Sequence, residues 1–100
     1  MKLYLISDNL DTQMGMRLAG IDGVIVHDEQ ETAEALDNAM ERNDIGIILM
    51  TPEAVKNCSE LVKKYKLERP TPLIIEIPDR HAQGDVTEAI SRYLREAVGV

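Results

Sequence analysis

The side chains of this sequence able to do chemistry are few. They are Asp8 between Ser7 and Asn9, the pair His27 and Asp28, Thr51, Asp79 after Pro78, His81, and the lone cysteine, Cys58. A divalent-metal site would draw on Asp8, Asp28 and Thr51, and a thiolate nucleophile would need Cys58 beside a histidine. Neither has a supporting pattern. The two histidines have no cysteines clustered with them in the way zinc motifs require. Gly15, Gly20 and Gly23 are spaced as neither GxGxxG nor GxxxxGK(S/T), and no hydroxyl follows Arg17 to hold Mg²⁺. No catalytic residue, cofactor site or metal site is expected.

The elements that position these residues follow from short apolar runs. Lys2–Ser7 (KLYLIS), Gly23–His27 (GVIVH), Ile45–Met50 (IGIILM) and Leu73–Ile77 (LIIEI) are rich in Ile, Leu and Val and suit strands. Segments of helical length separate them, which predicts an α/β fold with a four-stranded parallel sheet flanked by helices. In Asp28–Asn43 the residues Ala33, Leu36, Ala39 and Met40 share a face, and Asp28 with Glu31 has the form of a capping box. Thr51 as cap and Pro52 in the first turn start the next helix, whose stripe is Val55, Cys58, Val62 and Tyr65. That stripe makes Cys58 a buried hydrophobe far from either histidine. The last helix runs from about Asp85, with Val86, Ile90, Tyr93, Leu94, Ala97 and Val98 forming a wide apolar face. The division is a body over 1–78, a hinge over 79–84 within the polar stretch PDRHAQG (or an ordinary surface loop there), and a C-terminal amphipathic helix over 85–100.

In open parallel sheets ligands gather at the carboxyl ends of the strands. Those ends carry Ser7, Asp8 and Asn9, then His27 and Asp28, then Thr51, then Pro78 and Asp79. The layout is receiver-like or flavodoxin-like. A phosphorylatable receiver, however, has clustered acids after its first strand, an Asp nucleophile after its third and a Lys later. Here Asp8 stands alone, Thr51 takes the nucleophile's place, and no Lys follows the fourth strand. Asp8 is read as capping the following turn and Asp28 as capping a helix.

A chain of 100 residues with 44% hydrophobic residues closes one core. No apolar run reaches the roughly 20 residues that span a bilayer, so a soluble protein is expected. One cysteine excludes an internal disulfide and fits a reducing cytosol. The formal net charge of −7 argues against nucleic acid or an anionic membrane as partner, leaving protein.

Four stretches carry a resemblance that spans nearly the whole chain. They are SDNLDTQMGMRLAGI (Ser7–Ile21), NDIGIILMTPEAV (Asn43–Val55), PTPLIIEIP (Pro70–Pro78), and the polar segment leading into the last amphipathic helix. Together they resemble the F subunit of V-type and archaeal-type (V/A-type) ATPases, with its Gly-aromatic-Arg-Leu-Ala-Gly turn, its Asp-Ile-Gly-Ile-Ile strand and its strand ending in Glu-Ile-Pro. The sequence departs from that pattern at Met16, where the family usually has an aromatic, and at Ser7, where a Gly often precedes the Asp. The resemblance implies a non-catalytic central-stalk, or rotor, subunit of a proton- or sodium-translocating ATPase or ATP synthase. Such a subunit is held on the coiled-coil D subunit and couples rotation between the catalytic head and the membrane-ring connector. It implies no cofactor, no nucleic acid, no membrane insertion, and a cytoplasmic location peripheral to the membrane.

Gly15 then has two readings. Its missing side chain lets the helix lie close on the sheet, or it thins the outer helix surface so that a partner helix can approach. Under the second reading Arg17, Leu18 and Ile21 beside the Gly20–Gly23 turn are partner contacts, and Ile90, Tyr93, Leu94 and Val98 on the last helix join them. Two rival functions remain: a receiver-like adaptor that binds another protein without a phosphorylation site, and a small metal-dependent enzyme using Asp8, Asp28 and Thr51.

Overall fold

Alternating burial on two faces accounts for the apolar runs, because a strand covered on both sides has no position left for polar residues. The computed structural model describes residues 1–78. The strands are β1 (Lys2–Ser7), β2 (Asp22–Ile25), β3 (Ile45–Met50) and β4 (Leu73–Glu76), and the helices are α1 (Leu10–Leu18), α2 (Glu29–Met40), α3 (Pro52–Asn57) and α4 (Ser59–Glu68). The order across the sheet is β2-β1-β3-β4, and every neighbouring pair is parallel. The expected α/β sheet is therefore present. The hinge over 79–84 and the helix over 85–100 lie outside the described residues.

The strand order also dictates where the helices go. The step from β1 to β2 runs opposite to the steps from β2 to β3 and from β3 to β4, so right-handed crossovers put α1 on one face and α2, α3 and α4 on the other. The two cores match. Ile6, Ile48, Met50 and Ile74 from the sheet meet Leu36, Ala39, Ala54 and Val62 from the helices on one side. Leu5, Ile47, Leu49 and Ile77 share the other side with Met16 of α1.

Local chemistry sets the element ends. At α1 the side chain of Asn9 accepts from the Thr12 N–H at 3.1 Å. The exit is a Schellman turn: Gly20 N–H donates to Arg17 O (2.9 Å) and Ile21 N–H to Met16 O (2.9 Å), with Gly20 at φ 86°. Only Gly adopts that φ without strain. Gly23 serves otherwise, since a Cβ there would lie 2.7 Å from the Leu5 carbonyl oxygen on the paired strand. The α2 cap follows the expected pairing, with Asp28 Oδ1 accepting from Glu31 N–H at 2.8 Å. The returning bond is displaced by one residue, because Glu31 Oε1 accepts from His27 N–H at 2.8 Å.

Several sequence-based boundaries are corrected. The expected helix over Asp28–Asn43 stops at Met40, where Glu41 caps it and a turn holding the Arg42–Asp44 ion pair (2.8 Å) leads into β3. The single helix expected from Thr51 is two, broken at Cys58 (φ −143°, ψ 42°). Asn57, Cys58 and Ser59 are all weak helix formers, and the break leaves Cys58 and Val62 buried against the sheet. Strand β2 lies over Asp22–Ile25, so Val26 and His27 follow it rather than belong to it.

Candidate partner-docking surface

At the carboxyl ends of the strands, each polar side chain from the sequence that lies among the described residues is engaged within the fold, Asp79 being outside them. Thr51 is buried and holds the expected N-cap position of α3, with its carbonyl accepting from Val55 N–H at 3.0 Å, but its side chain makes no capping bond. Its hydroxyl donates to Asp8 Oδ1 at 2.7 Å and accepts from Asp8 N–H at 3.3 Å, tying the end of β3 to the end of β1. Asp8 accordingly does not cap the next turn; Asn9 does, because the Asp8 carboxylate is turned towards Thr51. The Ser7 hydroxyl, fully buried, donates to Asn9 O at 2.8 Å. Asp28 is the α2 cap, and the exposed His27 ring lies 3.0 Å from Glu31. The structure thus brings Asp8 and Thr51 together as a staple between strands and leaves Asp28 on a separate task. Among the described residues no three His, Cys, Asp or Glu side chains come together to hold a metal ion.

Cys58 is equally committed. It is buried, its Sγ lies 3.5 Å from Ala54 O, and burial pushes the thiol up to about 11, with the charges of Asp37 and Glu29 adding to the shift. A neutral thiol in an apolar contact is a packing group and a poor nucleophile.

The outer face of α1 is different. Leu10, Met14 and Leu18 are 58%, 54% and 92% exposed although all are large and apolar. Their spacing of four residues advances only about 40° per step around a helix, so they form one stripe. Met16, buried at 3% exposure, points the opposite way, into the core. The stripe is bordered by exposed Gly15 and exposed Arg17. A Cβ added at Gly15 would meet nothing within 4 Å, which overturns the reading that Gly15 lets α1 lie close on the sheet. What Gly15 thins is the outward surface of the helix. Of the expected contacts, Arg17 and Leu18 stand on this surface. Ile21 is half-buried, because the Schellman turn packs it with Met16. Ile90, Tyr93, Leu94 and Val98 lie outside the described residues. Sequence reasoning did not single out Leu10 and Met14, although the signal was present as the i, i+4, i+8 spacing with Leu18.

Fold and surface define a class: a doubly wound parallel α/β domain whose described strand-end polar groups are bonded within the fold and whose first helix carries an apolar stripe left exposed among the described residues. Comparison with known proteins makes the class specific. Residues 3–98 match the model of the family described as ATP synthase (F/14-kDa) subunit, and the chain belongs to that family. It is 29% identical to the F subunit of the A-type ATP synthase of Methanocaldococcus jannaschii over all of this chain and 97% of that protein. It is 33% identical to the F subunit of the A-type ATP synthase of Thermococcus onnurineus over all of this chain and 96% of that one. The crystal structure of the V-type ATP synthase F subunit from Archaeoglobus fulgidus superposes with a TM-score of 0.65 at 25% identity, covering 76% of this chain and 95% of that chain. Family membership makes the chain an F subunit of a V/A-type ATP synthase complex, whose work is ATP synthesis and ion transport. Among the described residues no helix is long and apolar enough to cross a membrane.

Proposed function

We propose that the chain is a non-catalytic central-stalk subunit, held on the coiled-coil D subunit of its complex and coupling rotation between the catalytic head and the membrane-ring connector from the cytoplasmic side. The observation that supports this reading is the stripe of Leu10, Met14 and Leu18 on α1. A helix with its apolar residues turned outward, next to a glycine that adds no bulk, is the surface a second helix packs against. A strand-end region whose hydroxyl and carboxylate are bonded to each other fits a body that transmits force without chemistry of its own. On sequence grounds, Ile90, Tyr93, Leu94 and Val98 supply a second set of contacts to the same partner.

The test is co-expression with candidate coiled-coil subunits of the same source, followed by size-exclusion chromatography and binding isotherms. Leu18 is almost wholly exposed, so cutting it to Ala removes about three carbons from a buried contact. That amounts to roughly 2 kcal/mol, or about thirtyfold in affinity. Folding stability should change by only a few tenths of a kcal/mol, the difference in helix propensity. Arg17→Ala should weaken binding in the same direction with the melt unchanged. Truncation after Gly84 should leave a folded body and a weakened complex. Failure to co-elute with any coiled-coil subunit, or equal losses in melting and binding for Leu18→Ala, would sink the proposal.

A further inference from the structure

The cations of this acidic chain are unevenly placed. Lys56, Lys63, Lys64, Lys66 and Arg69 lie within residues 56–69, opposed there only by Glu60 and Glu68, whereas residues 1–55 hold three Lys and Arg against eleven Asp and Glu. Lys56 is 3.5 Å from Glu53, and Arg69 is 3.1 Å from Glu41. Lys63, Lys64 and Lys66 are exposed and have no ion-pair partner among the described residues. Lys63 and Lys66, three residues apart, share one side of α4. Lys66 and Arg69 also border a groove of about 400 Å³, whose other walls are Pro70, Pro72, Leu73 and Ile74.

That groove opens onto β4, an edge strand among the described residues. Edge strands are ordinarily blunted by a Lys, a Pro or a bulge. Leu73–Glu76 reads LIIE and pairs with β3 in unbroken register; it holds no Lys, Pro or bulge, and its one charge, Glu76, closes the strand and is not among the residues lining the groove. Leu73 is 43% exposed. An apolar edge with free backbone donors and acceptors receives an extended chain, and cations alongside select one bearing negative charge.

We propose that the β4 edge and the Lys63–Lys66 side of α4 form a second docking surface, whose occupant is an extended acidic segment of a partner protein adding as a strand. A nucleic acid strand fits less well, because it has no peptide N–H and C=O groups at the spacing that pairs with a strand edge. The surface lies on the opposite face of the sheet from α1, so it stands independently of the coiled-coil reading.

The experiment is an NMR titration of the full chain with three probes of about strand length: a capped peptide alternating Glu and Val, its Lys and Val counterpart, and an oligothymidine. The Glu peptide should move the amide signals of Leu73–Glu76 together with those of Lys66–Arg69. Its affinity should fall about tenfold in the Lys63→Glu, Lys66→Glu double variant, whose melt should match the parent. The other two probes should leave the β4 signals in place. The proposal is overturned by any of four results: no β4 shift at millimolar Glu peptide, shifts confined to the lysines, equal binding of oligothymidine, or slow hydrogen exchange at the outward β4 amides of the free chain, which would mean that the edge is already filled from within.

Discussion

Gly15 is the position where structure and function can be separated most cleanly. It is the sixth of nine residues in α1, its φ is not positive, and the space its side chain would enter is open for 4 Å. Replacing it with Ala therefore introduces no clash and removes the backbone freedom that makes glycine a weak helix residue. The gain is about 0.5–1 kcal/mol. For a chain of this size that raises the melting temperature by roughly 2–8 °C. Gly15→Leu should keep most of the gain, since leucine is also a good helix former, while placing a bulky side chain at the border of the Leu10, Met14, Leu18 stripe. If a partner helix approaches there, overpacking costs about 1–3 kcal/mol, and affinity for the coiled-coil subunit should drop by roughly 5- to 150-fold. Calorimetric melts of the free chain and titration calorimetry with the partner read the two effects separately. A lower melting temperature for Gly15→Ala would show that α1 is packed tightly at this point and would refute the open-surface geometry. Unchanged affinity for Gly15→Leu would place the partner elsewhere.

Three other outcomes follow from the geometry. Thr51→Val removes both hydrogen bonds to Asp8 while keeping side-chain volume, and chemical denaturation should show a loss of about 1–2 kcal/mol with an unchanged slope. Tyr65 donates to Asp37 across α4 and α2, and this bond, with burial second, holds the phenol above its usual 10, at about 12. Because the folded-state value is the higher one, the stabilisation is present in full below about pH 10 and disappears as pH rises through about 12. The stability difference between the parent and Tyr65→Phe, followed by denaturation across that range, should close accordingly; a difference constant up to pH 12 would contradict the assignment. Cys58, with its thiol pushed up to about 11, carries only about one thiolate per thousand molecules at pH 8. Alkylation monitored by mass spectrometry should be slow in the native chain and fast in denaturant.

Much of the fold was written in local pattern. Apolar runs of strand length separated by helical segments announced a parallel sheet, since a strand covered on both faces must be apolar throughout, and β1 and β3 fall where those runs fall. Asp28 and Glu31, three residues apart, announced the start of α2. These signals are carried by residues near one another in the chain, so the sequence alone determined them. The family was legible for the same reason, as ordered stretches spread along its length. The Asp8–Thr51 bond was not legible: the two residues are 43 positions apart, and only the parallel pairing of β1 with β3 brings them within 2.7 Å. That single contact decided that neither side chain makes a capping bond, although Thr51 still holds the N-cap position of α3. Gly15 was likewise ambiguous on paper, because whether a missing side chain faces the sheet or the solvent depends on how α1 is rotated, and burial of Met16 fixes that rotation. The same rotation turned Leu10, Met14 and Leu18 outward, so the chain dictated that α1 would form while tertiary packing decided which of its apolar residues were left for a partner.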